Sequence, residues 1–199
     1  MRIALALKGL HAEQVPVHLV ADGGQQHRAS YRNINPQALV PSFKASPDDA
    51  ALHQSLAIIE YLDERWPNPR LLPEEPLLRA RVRAFAMTVA SEVQPLQNLR
   101  VLQYLEQELQ LSKEQRNAFA RHWMALGFVS LEESLESGNA FCFGNSPGLG
   151  DIVLVPQMYN ARRFGLDLKA FPKLVAIDAR CRALAAFAQA APEQQPDAA

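Results

Sequence analysis

Cysteine is scarce in this chain of 199 residues: Cys142 and Cys181 stand far apart with no CxxC spacing. That argues against a disulfide framework or a structural zinc site and fits a reducing cytoplasm. The five histidines also lack the spacing of metal ligands. Charge of one sign is missing as well, since 20 Lys and Arg nearly balance 21 Asp and Glu. No field therefore steers the chain to nucleic acid or to an acidic membrane surface, and the expected partner is a small molecule. Long apolar runs are absent, so no segment approaches the roughly 20 residues of a membrane span. The apolar start ends at Lys8 without a small-residue cleavage site and reads as a helix rather than a signal peptide. There is no GxSxG, phosphate-binding loop, dinucleotide fingerprint or HExxH, which leaves hydrolase, nucleotide and zinc readings without support. What is present is 48% hydrophobic content, enough to fill one large or two small domain cores and to exclude wholesale disorder.

Read in order, the opening helix stops at Gly9, a suitable C′ residue. Val15-Pro16-Val17-His18-Leu19-Val20 then alternates like a strand, which Pro16 demotes to an edge. Asp22-Gly23-Gly24 and Asn35-Pro36 are turns, with a short helix or irregular segment over 25–32. Leu39-Val40-Pro41 enters a second strand, Ser46-Pro47-Asp48-Asp49 turns it, and a third short strand leads to a helix that begins at Ser55. The order αβαββα is deficient as a sheet, because both leading strands carry a proline that removes a ladder donor. A further strand between them, ahead of residue 1, would repair it. Pro67, Pro69, Pro73 and Pro76 mark a linker, so the expected domains are residues 1–72 and 73–199. The second is all helical, with helices expected over 77–109, kinked at Pro95, and over 113–135, 151–164 and 174–187. The stretch from Pro192 to Asp197 reads as an irregular strap.

Several positions have two readings. Gln54-Ser55 places a serine cap before unpaired helical N–H groups, where a ligand carboxylate would be held, or it simply caps a helix. A cis Val40–Pro41 bond would turn the Val40 N–H and C=O towards a peptide-like ligand, or the proline merely starts a strand. Arg100 follows the break at Pro95 and is either turned inward or solvated. Arg162 and Arg163 end a helix, where arginines commonly meet the helix dipole; Arg163 and Arg100 matter if a dianion must be bound by bidentate cations. Gly148-Leu149-Gly150-Asp151 is a weakened capping box, with glycine where Ser or Thr would accept an N–H bond.

Taken together, the runs Arg2 to Leu10, Asp22-Gly23-Gly24, Asn35-Pro36, Val40-Pro41, Gln54 to Leu62, Pro95-Leu96-Gln97-Asn98, Val155-Pro156-Gln157 and Gln195-Pro196-Asp197 resemble the zeta class of glutathione transferases. The resemblance implies an α/β thioredoxin-like N-terminal domain followed by an all-α C-terminal domain, usually as a homodimer, in the glutathione transferase fold. It implies glutathione as cofactor and a small dicarboxylate as substrate, with no nucleic acid or membrane partner. The implied reaction is isomerisation of maleylacetoacetate to fumarylacetoacetate in tyrosine and phenylalanine breakdown. The related maleylpyruvate isomerisation is the neighbouring possibility. By the same resemblance Gln54 and Ser55 look like the pair for the γ-glutamyl carboxylate, and Val40 like the backbone anchor of the cysteinyl unit. Gln26 and Asn98 look like further glutathione contacts, and Arg163 and Arg100 like anchors for substrate carboxylates.

The family opens with a strand and a Ser-Ser-Cys-Ser-Trp-Arg-type motif that supplies the serine for the thiolate. Met1 falls inside the helix that follows it, so the catalytic serine is expected upstream of Met1 and no catalytic residue is assigned within the chain. A chain truly without that motif would be a non-catalytic glutathione-binding or dimerisation module.

Overall fold

A computed structural model describes residues 1–195. They divide into two compact units, Met1–Pro69 joined by the tail from Gln189, and Arg70–Ala188. The units separate directly after the cis Asn68–Pro69 peptide, inside the proline-rich stretch. Of the closing motif, Pro196 and Asp197 lie outside the described residues.

The first unit opens with α1 (Arg2–Leu7), whose Ile3, Ala4 and Leu5 are buried. Gly9, at φ +64°, ends it: its N–H bonds to the Ala6 carbonyl at 3.1 Å, and the Leu10 N–H bonds to the Leu5 carbonyl at 2.9 Å. These two bonds make a Schellman stop, which requires the left-handed conformation glycine adopts without strain. The α1 helix packs against α3 (Ser55–Arg65), where Ile58, Ile59 and Leu62 are buried.

Lys8 fixes that contact. Its buried ammonium donates to Asp63 Oδ1 at 2.8 Å, to the Trp66 carbonyl at 2.6 Å and to the Pro69 carbonyl at 2.9 Å. All three ammonium protons are placed, which is what makes a buried lysine tolerable.

The expected strand over 15–20 does not form: the segment has no regular structure, and Val15 and Val20 are exposed. A strand is defined by its neighbour, and among the described residues none pairs with it. The one described sheet joins β1 (Ser42–Phe43) to β2 (Leu52–His53), antiparallel, with Ser42 opposite His53. The turn expected between them closes through the Asp49 N–H and the Ser46 carbonyl, 3.2 Å apart. The segment 25–32 forms a 3-10 turn, Gln25–His27, and the short helix α2 (Ala29–Arg32).

The second unit is helical, as its periodicity predicts. Its first helix, α4 (Pro76–Met87), takes proline at its first position, and the Glu75 carboxylate accepts from the Leu77 and Leu78 N–H groups. Those backbone bonds hold the Glu75 carboxyl below its ordinary pKa. The helix expected to run on to 109 instead widens into a π turn, Thr88–Val93, then tightens to a 3-10 turn, Gln94–Gln97. Helix α5 (Leu99–Gln107) restarts behind Asn98. Pro95 breaks the ladder for lack of an N–H. A Cβ on Gly127 would lie 2.2 Å from Val93 Cγ2, so glycine is what allows α6 (Lys113–Ser134) to approach the π turn.

Helix α6 buries Ala120, Met124, Phe128 and Leu131 along one stripe. It leads to α7 (Leu149–Arg163), which packs on α4 and on α8 (Pro172–Arg182). The helix expected over 174–187 breaks at Ala183 and Leu184, and α9 (Ala185–Ala188) follows. The tail forms a 3-10 turn at Pro192–Gln194.

Candidate functional site

The start of α3 departs from the sequence reading in one respect that matters chemically. Gln54 holds the cap position, Ser55 is the first helical residue, and no side chain caps the helix. Its leading N–H groups thus keep free donor capacity at the positive end of the helix dipole, the arrangement that receives an anion. Gln54 itself sits at φ +67° and ψ +118°. An L-residue in that region stores on the order of 1–3 kcal/mol of backbone strain and is found where a functional geometry is imposed. The Gln54 amide donates to Gln37 Oε1 at 3.1 Å, and the side chain stays exposed.

Val40 lies on the exposed side of the same unit, and the Val40–Pro41 peptide is cis. Both flanks of this peptide are tied down. The Leu39 carbonyl accepts from the Tyr31 hydroxyl at 2.7 Å and from Asn35 Nδ2, also at 2.7 Å. Asn35, almost fully buried, accepts the Gln37 N–H at 3.0 Å on its Oδ1. On the far flank, Ser42 Oγ is 3.0 Å from the Tyr31 hydroxyl and 3.3 Å from His53 Nδ1. The residue after His53 is Gln54, so one side-chain chain runs from the Leu39-Val40-Pro41 segment to the start of α3. Sequence reasoning missed Tyr31, Ser42 and His53, because an isolated tyrosine, serine and histidine carry no periodic signal.

Gln26 is buried, with Nε2 donating to the Leu19 carbonyl at 3.1 Å and Oε1 without a partner among the described residues. It folds across Gly24, where a Cβ would lie 2.5 Å from Gln26 Nε2.

The remaining named residues belong to the second unit. Asn98 is the N-cap of α5, its Oδ1 reached by the Arg100 N–H at 3.4 Å, and the Arg100 side chain is exposed. Arg163, in the last turn of α7, is exposed with its guanidinium carbon 5.8 Å from the centre of the Phe164 ring. Its neighbour Arg162 is committed to the buried Asp178 carboxylate. Of the two arginines, Arg163 therefore keeps its bidentate donors for another anion. Gln97 and Gln157, both in quoted motifs, are buried with amides unpartnered among the described residues. A cavity of about 500 Å³ between α4 and α6 is lined by Arg81, Phe85, Thr88, Leu131 and Glu136 among others and contains none of the named contact residues.

The cysteines surround a carboxylate rather than a metal. Asp151 Oδ1 accepts the Cys142 N–H at 2.9 Å and lies 3.6 Å from Cys181 Sγ, while Oδ2 accepts the Gly148 N–H at 2.9 Å. Burial pushes the Asp151 carboxyl up, and burial followed by the nearby Asp151 charge pushes both thiols well above their ordinary range. They are structural thiols. The glycine of the weakened capping box is explained here too: a Cβ on Gly148 would lie 2.8 Å from the Leu71 carbonyl, which accepts the Leu149 N–H at 2.8 Å. Among the described residues, no group of three or more potential ligands gathers as a metal site, and no helix is long and apolar enough to cross a membrane.

Comparison with known proteins identifies what the chain is similar to. Residues 1–70 match the family described as glutathione S-transferase, N-terminal domain. A relative from Vibrio cholerae serotype O1, called probable maleylacetoacetate isomerase, is 49% identical over 199 residues, covering 100% of this chain and 92% of that protein. A bacterial maleyl pyruvate isomerase described as a zeta-class glutathione S-transferase aligns with TM-score 0.95 at 40% identity, over 100% of this chain and 93% of that one. The maleylacetoacetate isomerase of Methylobacterium extorquens AM1, solved with bound malonate and GSH, aligns with TM-score 0.93 at 39% identity, over 100% and 92%.

Proposed function

Because the chain belongs to the zeta-class glutathione transferases, we propose that it is a glutathione-dependent cis–trans isomerase acting on maleylacetoacetate. The observation that carries this reading is the uncapped, strained start of α3 at Gln54–Ser55, set beside the pinned Val40–Pro41 peptide in one unit. A relative that aligns over the whole chain binds glutathione together with a small dicarboxylate.

In this reading the N–H groups at the start of α3 and the Ser55 hydroxyl hold the γ-glutamyl carboxylate, with Gln54 beside them. The Val40 backbone holds the cysteinyl unit in a peptide-like pair of hydrogen bonds. Gln26 and Asn98 are further glutathione contacts. Arg163 and Arg100, exposed and without a carboxylate partner among the described residues, take the substrate carboxylates. When bound, glutathione supplies the nucleophilic sulfur for reversible addition across the cis double bond and is not consumed. The residues named here bind and orient glutathione and substrate; none of them is assigned to activating that sulfur.

A second reading, isomerisation of the shorter dianion maleylpyruvate, is favoured by the TM-score of 0.95 to a maleyl pyruvate isomerase. Glutathione-dependent loss of each cis substrate, measured as kcat/KM on purified protein, decides between them. Failure to turn over either substrate at saturating glutathione would sink both. We also place the protein in a reducing cytoplasm, consistent with two free buried cysteines, and assign it a homodimer. A monomer by light scattering would contradict the latter.

A further inference from the structure

We propose that Tyr31, Ser42 and His53 are positioning residues that act as one directional hydrogen-bond relay, locking the Val40 peptide to the start of α3. The inference rests on the reading of those two segments as the glutathione site. Counting protons fixes the direction. Tyr31 has one hydroxyl proton, and it goes to the Leu39 carbonyl at 2.7 Å. The 3.0 Å contact between Tyr31 and Ser42 must then be filled by the Ser42 proton. With that proton spent, the 3.3 Å contact between Ser42 Oγ and His53 Nδ1 needs a proton on Nδ1. Only one arrangement satisfies all three contacts: His53 Nδ1–H to Ser42, Ser42 O–H to Tyr31, Tyr31 O–H to Leu39.

The relay has a mechanical consequence. Ser42 and His53 face each other across the β1–β2 ladder, and they flank Pro41 and Gln54 respectively. Asn35 fills the second lone pair of the Leu39 carbonyl, so that carbonyl cannot turn. The peptide that would hold the cysteinyl unit and the residue before the helix donors are thereby set by one chain of side chains. None of the three is required to touch the ligand. Such second-layer bonds tighten a site by orienting groups that do touch it.

Two measurements on the full chain test this. The first needs no ligand: two-bond proton–nitrogen correlation spectra of the neutral His53 ring, assigned by its loss in His53→Ala. A proton on Nδ1 is expected, and an Nε2–H tautomer overturns the relay. The second is calorimetry with glutathione. Tyr31→Phe keeps the ring and removes the hydroxyl, and its Kd for glutathione should rise about 10-fold. His53→Ala should match it within about 3-fold, whereas His53→Asn, whose Nδ2–H stands where Nδ1–H was, should stay within about 3-fold of the unsubstituted chain. The double variant Tyr31→Phe/His53→Ala should bind no more weakly than the worse single one, since both break the same relay. Additive losses, or no rescue by asparagine, overturn the proposal. If the unsubstituted chain does not bind glutathione, the functional reading fails, and the His53 tautomer alone decides the relay.

Discussion

Helices α3 and α6 each draw on one serine and one glutamine at their start, and they use them in opposite ways. At α6, Ser112 Oγ accepts the Gln115 N–H at 3.3 Å and Gln115 Oε1 accepts the Ser112 N–H at 2.8 Å, a closed capping box. At α3, Ser55 is already inside the helix, Gln54 stands before it at φ +67°, and no side chain returns to the backbone. The first start spends its donors on its own fold. The second accepts backbone strain and keeps its donors, the arrangement the proposed anion site needs. A third start, at α7, resembles α6 in outcome: Asp151 accepts both the Gly148 and the Cys142 N–H groups.

If that contrast is correct, substitutions at α6 and α7 register in stability and substitutions at α3 register in ligand affinity. The largest effect is expected at α7. Asp151→Ala leaves the buried Cys142 N–H and the half-buried Gly148 N–H unpaired and should lower the unfolding free energy by about 3 kcal/mol in urea titrations. At α3, Ser55→Ala should raise the Kd for glutathione about 10-fold, near 1.4 kcal/mol, and change the unfolding free energy by no more than about 0.5 kcal/mol. Its counterpart at α6, Ser112→Ala, should cost about 1 kcal/mol of stability and leave glutathione binding unchanged. Smaller still, Gln54→Gly should stabilise the fold by about 0.5–1 kcal/mol, because glycine adopts φ +67° freely, while weakening glutathione binding. A loss of stability there would remove the case for strain.

The cysteines sharpen the contrast between a site and a core. Their pKa values are raised in the folded state, so stability linked to them is present below the unfolded thiol pKa and falls as pH rises above it. The unfolding midpoint should therefore decline above about pH 8.5. Cys142→Ala and Cys181→Ala should flatten that decline. Thiol reagents near neutral pH should leave both cysteines unmodified until the chain unfolds.

The sequence legible to periodicity and capping rules was the second unit. The helix expected over 113–135 and the break at Pro95 both follow from local chemistry, while the Ser112 box went unread. The π turn was not legible, because it depends on Gly127 admitting Val93 and not on residues 88–93 themselves. In the first unit the residues 15–20 alternate as a strand should, yet alternation records only which faces differ and not whether a neighbour exists. At the candidate site, Gln54, Ser55 and Val40 were proposed from the capping and X–Pro patterns and the family resemblance. The residues that hold them in place, Tyr31, Asn35, Ser42 and His53, were not, since their partners are set by tertiary approach. Lys8 is the same case: an apparent end to an apolar run proves to be a buried tie to Asp63 and two carbonyls.

The central claim is that the open start of α3 and the Val40 peptide together receive glutathione. Amide proton–nitrogen spectra of the labelled chain, recorded through a glutathione titration, test it most directly. The account predicts saturable shifts at the amides of Val40, Ser55 and Leu56, with the amides of Ser112 to Gln115 unmoved. Shifts confined to residues 70–188, or equal shifts at both helix starts, would contradict it.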